Sequence, residues 1–209
     1  MGKNTLNEKV SEHVAELLKL KGPFKRETSA EEAYELYKRV LKSPKGDVVE
    51  IGSASGGTTV FLLDAAAQVG KTVYSIDPYP INMENKATSY TKGSMNKLKE
   101  NFKRNILDGP YKNIIQYNES TNDCINKIPH NLSLVFIDSL HELSFVLNEI
   151  KLIYPLIVND GWLYVHDTHW TEGQLSKTKE GGLHNIWNVI DKKAFKEIKL
   201  VGSMFCGRK

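Results

Sequence analysis

The spacing of apolar positions changes character along this chain and divides it into elements. Leu6, Val10, Val14, Leu17 and Leu18 recur at helical spacing, which predicts an N-terminal helix over 6–20. Lys21-Gly22-Pro23-Phe24 breaks it, and Ser29 with Glu32 three residues on offers a capping-box start for a second helix running to Leu41. Ser43-Pro44-Lys45-Gly46 ends that helix. From there the period alternates. Strands are predicted at 47–51, 72–76, 113–117, 133–137, 161–166 and 197–205, and helices at 57–69, 92–106, 120–127, 141–153 and 183–193. All but the last strand are continuous apolar runs, as expected of strands buried on both faces. Alternation with crossovers of this length means a doubly wound α/β sheet. A hairpin near 197–208 brings the count to seven strands, with the last one antiparallel.

Composition narrows the class without changing this picture. A chain of 209 residues suffices for one well-buried core, and 40% hydrophobic with 25% charged residues is ordinary for a globular protein. The 28 basic and 25 acidic side chains give a net charge of +3, and the lysines are scattered, so no nucleic-acid partner is expected. No apolar run approaches the ~20 residues of a membrane helix, and the N-terminus lacks a signal core. Cys124 and Cys206 are far apart, with no CxxC or zinc-ligand spacing, which fits a reduced, cytoplasmic setting.

The chemistry begins at Val48-Val49-Glu50-Ile51-Gly52-Ser53-Ala54-Ser55-Gly56-Gly57-Thr58. An apolar run ends in an acid and a glycine-rich turn, and a second run delivers Asp77, 25 residues after Gly52. That is the layout of a nucleotide-type cofactor site: the turn lets backbone approach the ligand, and the second acid accepts from ribose hydroxyls. Glu50, Asp77, Ser120, Asp138 and the cluster His166-Asp167-Thr168-His169 stand at five different strand ends, which predicts one shared cleft.

Taken in order, these motifs resemble the class I S-adenosylmethionine-dependent methyltransferases, and among them the catechol-type, caffeoyl-coenzyme-A-type and macrolide-sugar O-methyltransferases. Glu50-x-Gly52-x-x-x-Gly56 is similar to their first motif, Val135-Phe136-Ile137-Asp138-Ser139-Leu140-His141 to their fourth-strand motif, and Asn159-Asp160-Gly161-Trp162-Leu163 with His166-Asp167 to their fifth. The resemblance covers about residues 46–209, an S-adenosylmethionine-binding Rossmann-like domain, with 1–45 as a helical cap in one structural unit. It implies that Glu50, Gly52, Ser53, Gly56, Gly57, Thr58, Asp77, Ser120 and Asp138 hold the cofactor. It further implies that Asp138 and Asp167, with His166, hold a divalent metal, Mg²⁺ or Mn²⁺; an imidazole in the set favours a softer ion than Mg²⁺. His141 matches the lysine-base position of catechol-type enzymes and His169 the base of macrolide-sugar enzymes, and imidazole exchanges protons near neutral pH. The implied reaction is methyl transfer to a hydroxyl of a small polar acceptor, and pairing through the N-terminal helices into a homodimer is implied as well.

Other readings stay open, N-methylation of a small amine among them, since the donor site would look the same. A nicotinamide dinucleotide site wants G-x-G-x-x-G and would set Glu50 against a pyrophosphate, whereas a sulfonium with an amino-acid tail suits that acid better. A non-catalytic cofactor-binding module would bind without turnover. Residues 78–92 and the polar stretch from Trp170 to Gly182 are expected as loops over the cleft. His13, His130 and His184 are read as structural or surface residues.

Overall fold

All six residues of strand β4 (Leu132–Ile137) are buried, because it runs through the middle of a sheet covered on both faces. The computed structural model describes residues 6–19, 28–79, 92–169, 183 and 186–209. The other strands are β1 (Asp47–Ile51), β2 (Val73–Ile76), β3 (Ile114–Tyr117), β5 (Ile157–Val165), β6 (Glu197–Val201) and β7 (Met204–Arg208). They form one seven-stranded sheet in the order β3-β2-β1-β4-β5-β7-β6. The first five strands pair in parallel, and β7 runs antiparallel to both β5 and β6. The expected Rossmann-like sheet with a reversed last strand is therefore present.

The helices are α1 (Leu6–Leu18), α2 (Ala30–Lys42), α3 (Thr59–Gln68), α4 (Lys92–Phe102), α5 (Thr121–Cys124), α6 (Leu143–Ile153) and α7 (Ile186–Val189). Successive β4 side chains point to opposite faces. Leu134 and Phe136 enter a core with Leu36 and Val40 of α2 and Leu62 of α3. Val135 and Ile137 enter the other, with Val146 and Ile153 of α6 and Ile186 of α7. Each such side chain contributes roughly 1.5–3 kcal/mol of burial, so β4 anchors both layers. Among the described residues no helix is long and apolar enough to cross a membrane.

Departures from the expected boundaries have local causes. Among the described residues of 183–193 lies a four-residue helix, Ile186–Val189, and beyond it the Asp191 carboxylate accepts from the Lys193 N–H at 3.0 Å and starts a 3-10 turn (Lys192–Ala194). Helix α6 begins at Leu143 rather than 141, leaving His141 on the loop that follows β4. Strand β5 begins at Ile157; its register against β4 slips between Leu132 and Leu134, and Asp160 adopts φ 63° within that irregularity. Helix α4 closes in a π-helical turn, Lys103–Leu107.

Chain order reverses between β1 and β4, and this switch point opens a crevice at their carboxyl ends. Helix α2 reaches toward it. Ser29 Oγ accepts from the Glu32 N–H (3.2 Å) while the Glu32 carboxylate accepts from the Ser29 N–H (2.6 Å), the capping box expected at this helix start.

A second polar cluster fastens α2 to the sheet. Glu35 Oε1 accepts from Lys199 Nζ (2.7 Å), Arg39 Nη2 (2.9 Å) and Tyr164 Oη (2.9 Å), while the Arg39 guanidinium lies 3.9 Å over the Trp162 ring. Burial alone would raise the Glu35 pKa, but the hydrogen bonds from Lys199 and Arg39 outweigh it and hold it at about 2. Because the folded pKa lies below the unfolded one, the stabilisation is complete above about pH 4.5 and disappears as pH falls toward 2. Urea denaturation of Glu35→Gln beside the parent, from pH 7 to pH 3, should show a stability gap that closes with acidification. A gap independent of pH would remove Glu35 as the source.

Candidate active site

Backbone hydrogen bonds carry the pairing of β1 and its neighbours past the strand ends. Asp138 N–H donates to the Ile51 carbonyl at 2.8 Å, and Gly52 N–H to the Ile76 carbonyl at 2.8 Å. A Cβ at Gly52, which adopts φ +87°, would stand 2.1 Å from the Asp138 carbonyl oxygen. Only glycine permits this approach. Gly56 (φ +88°) makes room for a side chain instead: its Cβ would stand 2.5 Å from Ile106 Cγ1, in the π-helical turn.

Glu50 is fully buried. Its Oε2 accepts from the Thr59 hydroxyl at 2.6 Å, and its Oε1 has no hydrogen-bond partner among the described residues. Burial raises its pKa to about 8; Asp138 and Asp77 push the same way and the Thr59 hydrogen bond opposes them. Asp77, also buried, accepts from the Ala54 N–H and the Tyr79 N–H, both at 2.9 Å. Ala54 and Tyr79 carry positive φ, 45° and 47°. Tyr79 is buried, and its hydroxyl donates to the Ala54 carbonyl at 2.8 Å and lies 3.4 Å from Ser53 Oγ. Thus Asp77 clamps the glycine turn, and Tyr79 seals it.

The remaining expected cofactor residues sit in less direct positions. Gly57 is buried within the turn. The Thr58 hydroxyl faces Thr28 Oγ1 at 3.2 Å, so its neighbour Thr59 is the one that reaches Glu50. Ser120 caps α5, donating to Asp123 Oδ2 at 2.6 Å. Beside it Asn118 Oδ1 is buried without a hydrogen-bond partner among the described residues.

Across the crevice, Asp138, His141 and Asp167 bring ligand atoms within 4.8 Å of one another. His141 Nε2 lies 3.3 Å from Asp167 Oδ2 and 3.8 Å from Asp138 Oδ1. The hydrogen bond to Asp138 raises the His141 pKa, while both aspartates, despite burial, are held low by the two histidines. His166 takes a different place from the metal ligand expected of it. Only 3% exposed, it points Nδ1 at Asp138 Oδ1 (3.1 Å) and Asp167 Oδ2 (3.5 Å), and Nε2 at Glu32 Oε2 (3.5 Å). With carboxylates on both nitrogens, both must donate; burial opposes the charge, but Asp138, Asp167 and Glu32 raise the pKa to about 12. The group of three whose ligand atoms lie within 4.8 Å of one another holds His141 beside the two aspartates.

His169 is exposed, and its N–H donates to the Ser203 carbonyl at 3.1 Å. His13 bonds Asp64 Oδ2 at 2.8 Å away from the crevice, and His130 is exposed. The loops expected over the cleft fall at 80–91 and 170–182, outside the described residues, as does His184. Three contributors were not among the expected site residues: Thr59, Glu32, and Glu149 on α6, which accepts from Ser139 Oγ (2.5 Å) and Thr121 Oγ1 (3.0 Å). Burial moves the Glu149 pKa up to about 7.

This site sits in a recognisable family frame. The sequence profile of a methyltransferase domain matches residues 49–168, from within β1 to just past β5. The chain belongs to the methyltransferase family. No curated protein matches it by sequence. Among solved structures, an O-methyltransferase from Bacillus cereus in complex with S-adenosylhomocysteine superposes with a TM-score of 0.61 at 14% identity, covering 100% of this methyltransferase and 93% of that chain. The O-methyltransferase TomG from Streptomyces achromogenes, in complex with S-adenosylmethionine, gives 0.59 at 11% identity over 99% and 90%. At such identities the likeness establishes the fold.

The Glu50 carboxyl of this methyltransferase is a liability to folding alone. A raised pKa costs nothing below about pH 4.5 and costs progressively more as pH climbs toward 8. Glu50→Gln should therefore raise the urea midpoint more at pH 8 than at pH 5, and equal gains at the two pH values would show Glu50 to be ionised in the fold.

Proposed function

We propose that the protein is an S-adenosylmethionine-dependent O-methyltransferase acting on a hydroxyl of a small polar molecule, a sugar or a natural-product intermediate. The observation that carries this reading is the convergence of Asp138, His141 and Asp167 beside the glycine turn of a methyltransferase fold. The buried, unpartnered Glu50 Oε1 supports a cationic ligand at the end of β1. S-adenosylmethionine, when bound, supplies a methyl group on a sulfonium together with the positively charged amino-acid end that this carboxyl suits. Glu50, Gly52 and Ser53 would face that end, Asp77 the ribose, and Ser120 the adenine. Gly56, Gly57 and Thr58 would hold the shape of the turn. B. cereus O-methyltransferase and TomG, crystallised with product or cofactor, support this choice of cofactor.

Asp138, His141 and Asp167 suit a divalent ion, and the imidazole favours Mn²⁺, Fe²⁺ or Zn²⁺ over Mg²⁺. When bound, such an ion supplies a Lewis acid that lowers the acceptor hydroxyl's pKa and fixes its orientation. His169, exposed two residues after Asp167 and held at its backbone by Ser203, would take the hydroxyl proton. A metal-free alternative rests on the 3.3 Å approach of His141 Nε2 to Asp167 Oδ2: the aspartate orients the ring and His141 is the base.

Calorimetric titration of S-adenosylhomocysteine into chelator-treated protein, with and without Mn²⁺ and beside NAD, tests the reading. Micromolar S-adenosylhomocysteine binding is expected, with Mn²⁺ binding lost in Asp167→Ala while the nucleoside still binds. Binding of NAD instead would overturn the cofactor assignment. With metal-loaded enzyme, His169→Gln should lower kcat by about 10²–10⁴-fold. Full activity in chelator, with the loss transferred to His141→Gln, would select the metal-free alternative.

A further inference from the structure

Glu32 belongs to helix α2, and the capping box accounts for only one of its contacts. Its carboxylate is 3% exposed and meets four donors. Oε2 accepts from the Ser29 N–H at 2.6 Å and lies 3.5 Å from His166 Nε2. Oε1 accepts from the Ser203 N–H at 2.7 Å and from Ser203 Oγ at 2.8 Å. Each of the distant partners belongs to the wall of the crevice. His166 presents its other nitrogen to Asp138 and Asp167. Ser203, in the turn between β6 and β7, accepts at its carbonyl from the Thr168 and His169 N–H groups, and its hydroxyl lies 3.4 Å from Asp167 Oδ1. Asp167 itself adopts φ 54°, a conformation unfavourable for a residue with a side chain, so its loop needs external hold.

We propose that Glu32 is a positioning residue for the metal site: through His166 and Ser203 it holds the Asp138 and Asp167 carboxylates in ligating geometry. The inference rests on the metal-assisted reading of the site. Groups that orient ligands from behind typically change metal affinity by 10–100-fold when removed. A carboxylate is what this position requires, because all four neighbours are donors and acceptor-only oxygens satisfy them together. An amide there would turn its NH₂ against donors.

The test is Mn²⁺ affinity of chelator-treated protein, read by electron paramagnetic resonance, with S-adenosylhomocysteine affinity and thermal midpoint measured on the same samples. Glu32→Gln is expected to weaken Mn²⁺ binding about tenfold while S-adenosylhomocysteine affinity stays within about twofold. Ser29→Ala, which removes the other half of the capping box, controls for helix stability and should lower the thermal midpoint without changing Mn²⁺ affinity. If Ser29→Ala weakens Mn²⁺ as much as Glu32→Gln does, or if Glu32→Gln leaves it unchanged, the positioning role is overturned. Should Glu32→Gln fail to fold, Ser203→Ala carries the test: it removes the hydroxyl shared by Glu32 and Asp167 and should weaken Mn²⁺ binding, with no change overturning the role. Parent protein that binds S-adenosylhomocysteine but no Mn²⁺ would instead remove the metal-assisted reading itself, and the proposal with it.

Discussion

The site depends on how closely two parallel strands approach where the chain order reverses. The Asp138 N–H bonds the Ile51 carbonyl, and the missing side chain of Gly52 lets the Asp138 carbonyl sit where a Cβ would be. That contact brings the end of β1, with Glu50 and the glycine turn, against the end of β4, with Asp138 and the loop carrying His141. A side chain at position 52 would push the two apart, and with them the cofactor half and the acceptor half of the crevice. The contact is affordable only because β4 is clamped between two apolar layers, so that the strand ends have little freedom to separate.

Four acids crowd this crevice, and each is kept by different means. Glu50, without a cation, resides mostly as the neutral acid at neutral pH. Asp77 spends both oxygens on backbone amides and so fastens the turn. Asp138 and Asp167 remain ionised against the His166 imidazolium, whose charge is in turn stabilised by Glu32. Of the four, Glu50 alone buries an oxygen, Oε1, with no hydrogen-bond partner among the described residues. Spare valence in a buried group is costly to folding, and proteins keep it where a ligand will use it.

Much of this was legible in the sequence because it is local. The apolar runs marked the strands, the acid-glycine turn marked the switch point, and the acids and histidines at the strand ends marked the crevice. What escaped is long-range or conformational. Ser29 and Glu32 announced a helix cap, and they form one, but nothing in the spacing links Glu32 to His166 at the far end of β5 or to Ser203 in the last hairpin. His166 looked like a ligand because it adjoins Asp167. Strand alternation instead turns it inward to the layer of Phe136, 6.1 Å away ring to ring, and leaves the outward place to His141. Likewise Thr59 rather than Thr58 meets Glu50, a difference of one residue that the phase of the first helical turn decides.

Glu32 also bears on why a helix preceding the sheet should matter to chemistry at its far edge. The β6–β7 turn and the first residues after β5 hold each other through Ser203, and each carries a positive φ, at Gly202 and at Asp167. Two mutually supporting loops can shift together without losing their shared hydrogen bonds. A buried carboxylate bonded to both, and borne on a helix whose Leu36 and Val40 are locked in the core, removes that freedom. The helix thereby converts the rigidity of the apolar layer into fixed positions for the Asp138 and Asp167 oxygens, which is what an ion-binding pair of carboxylates needs and what hairpin contacts alone would not supply.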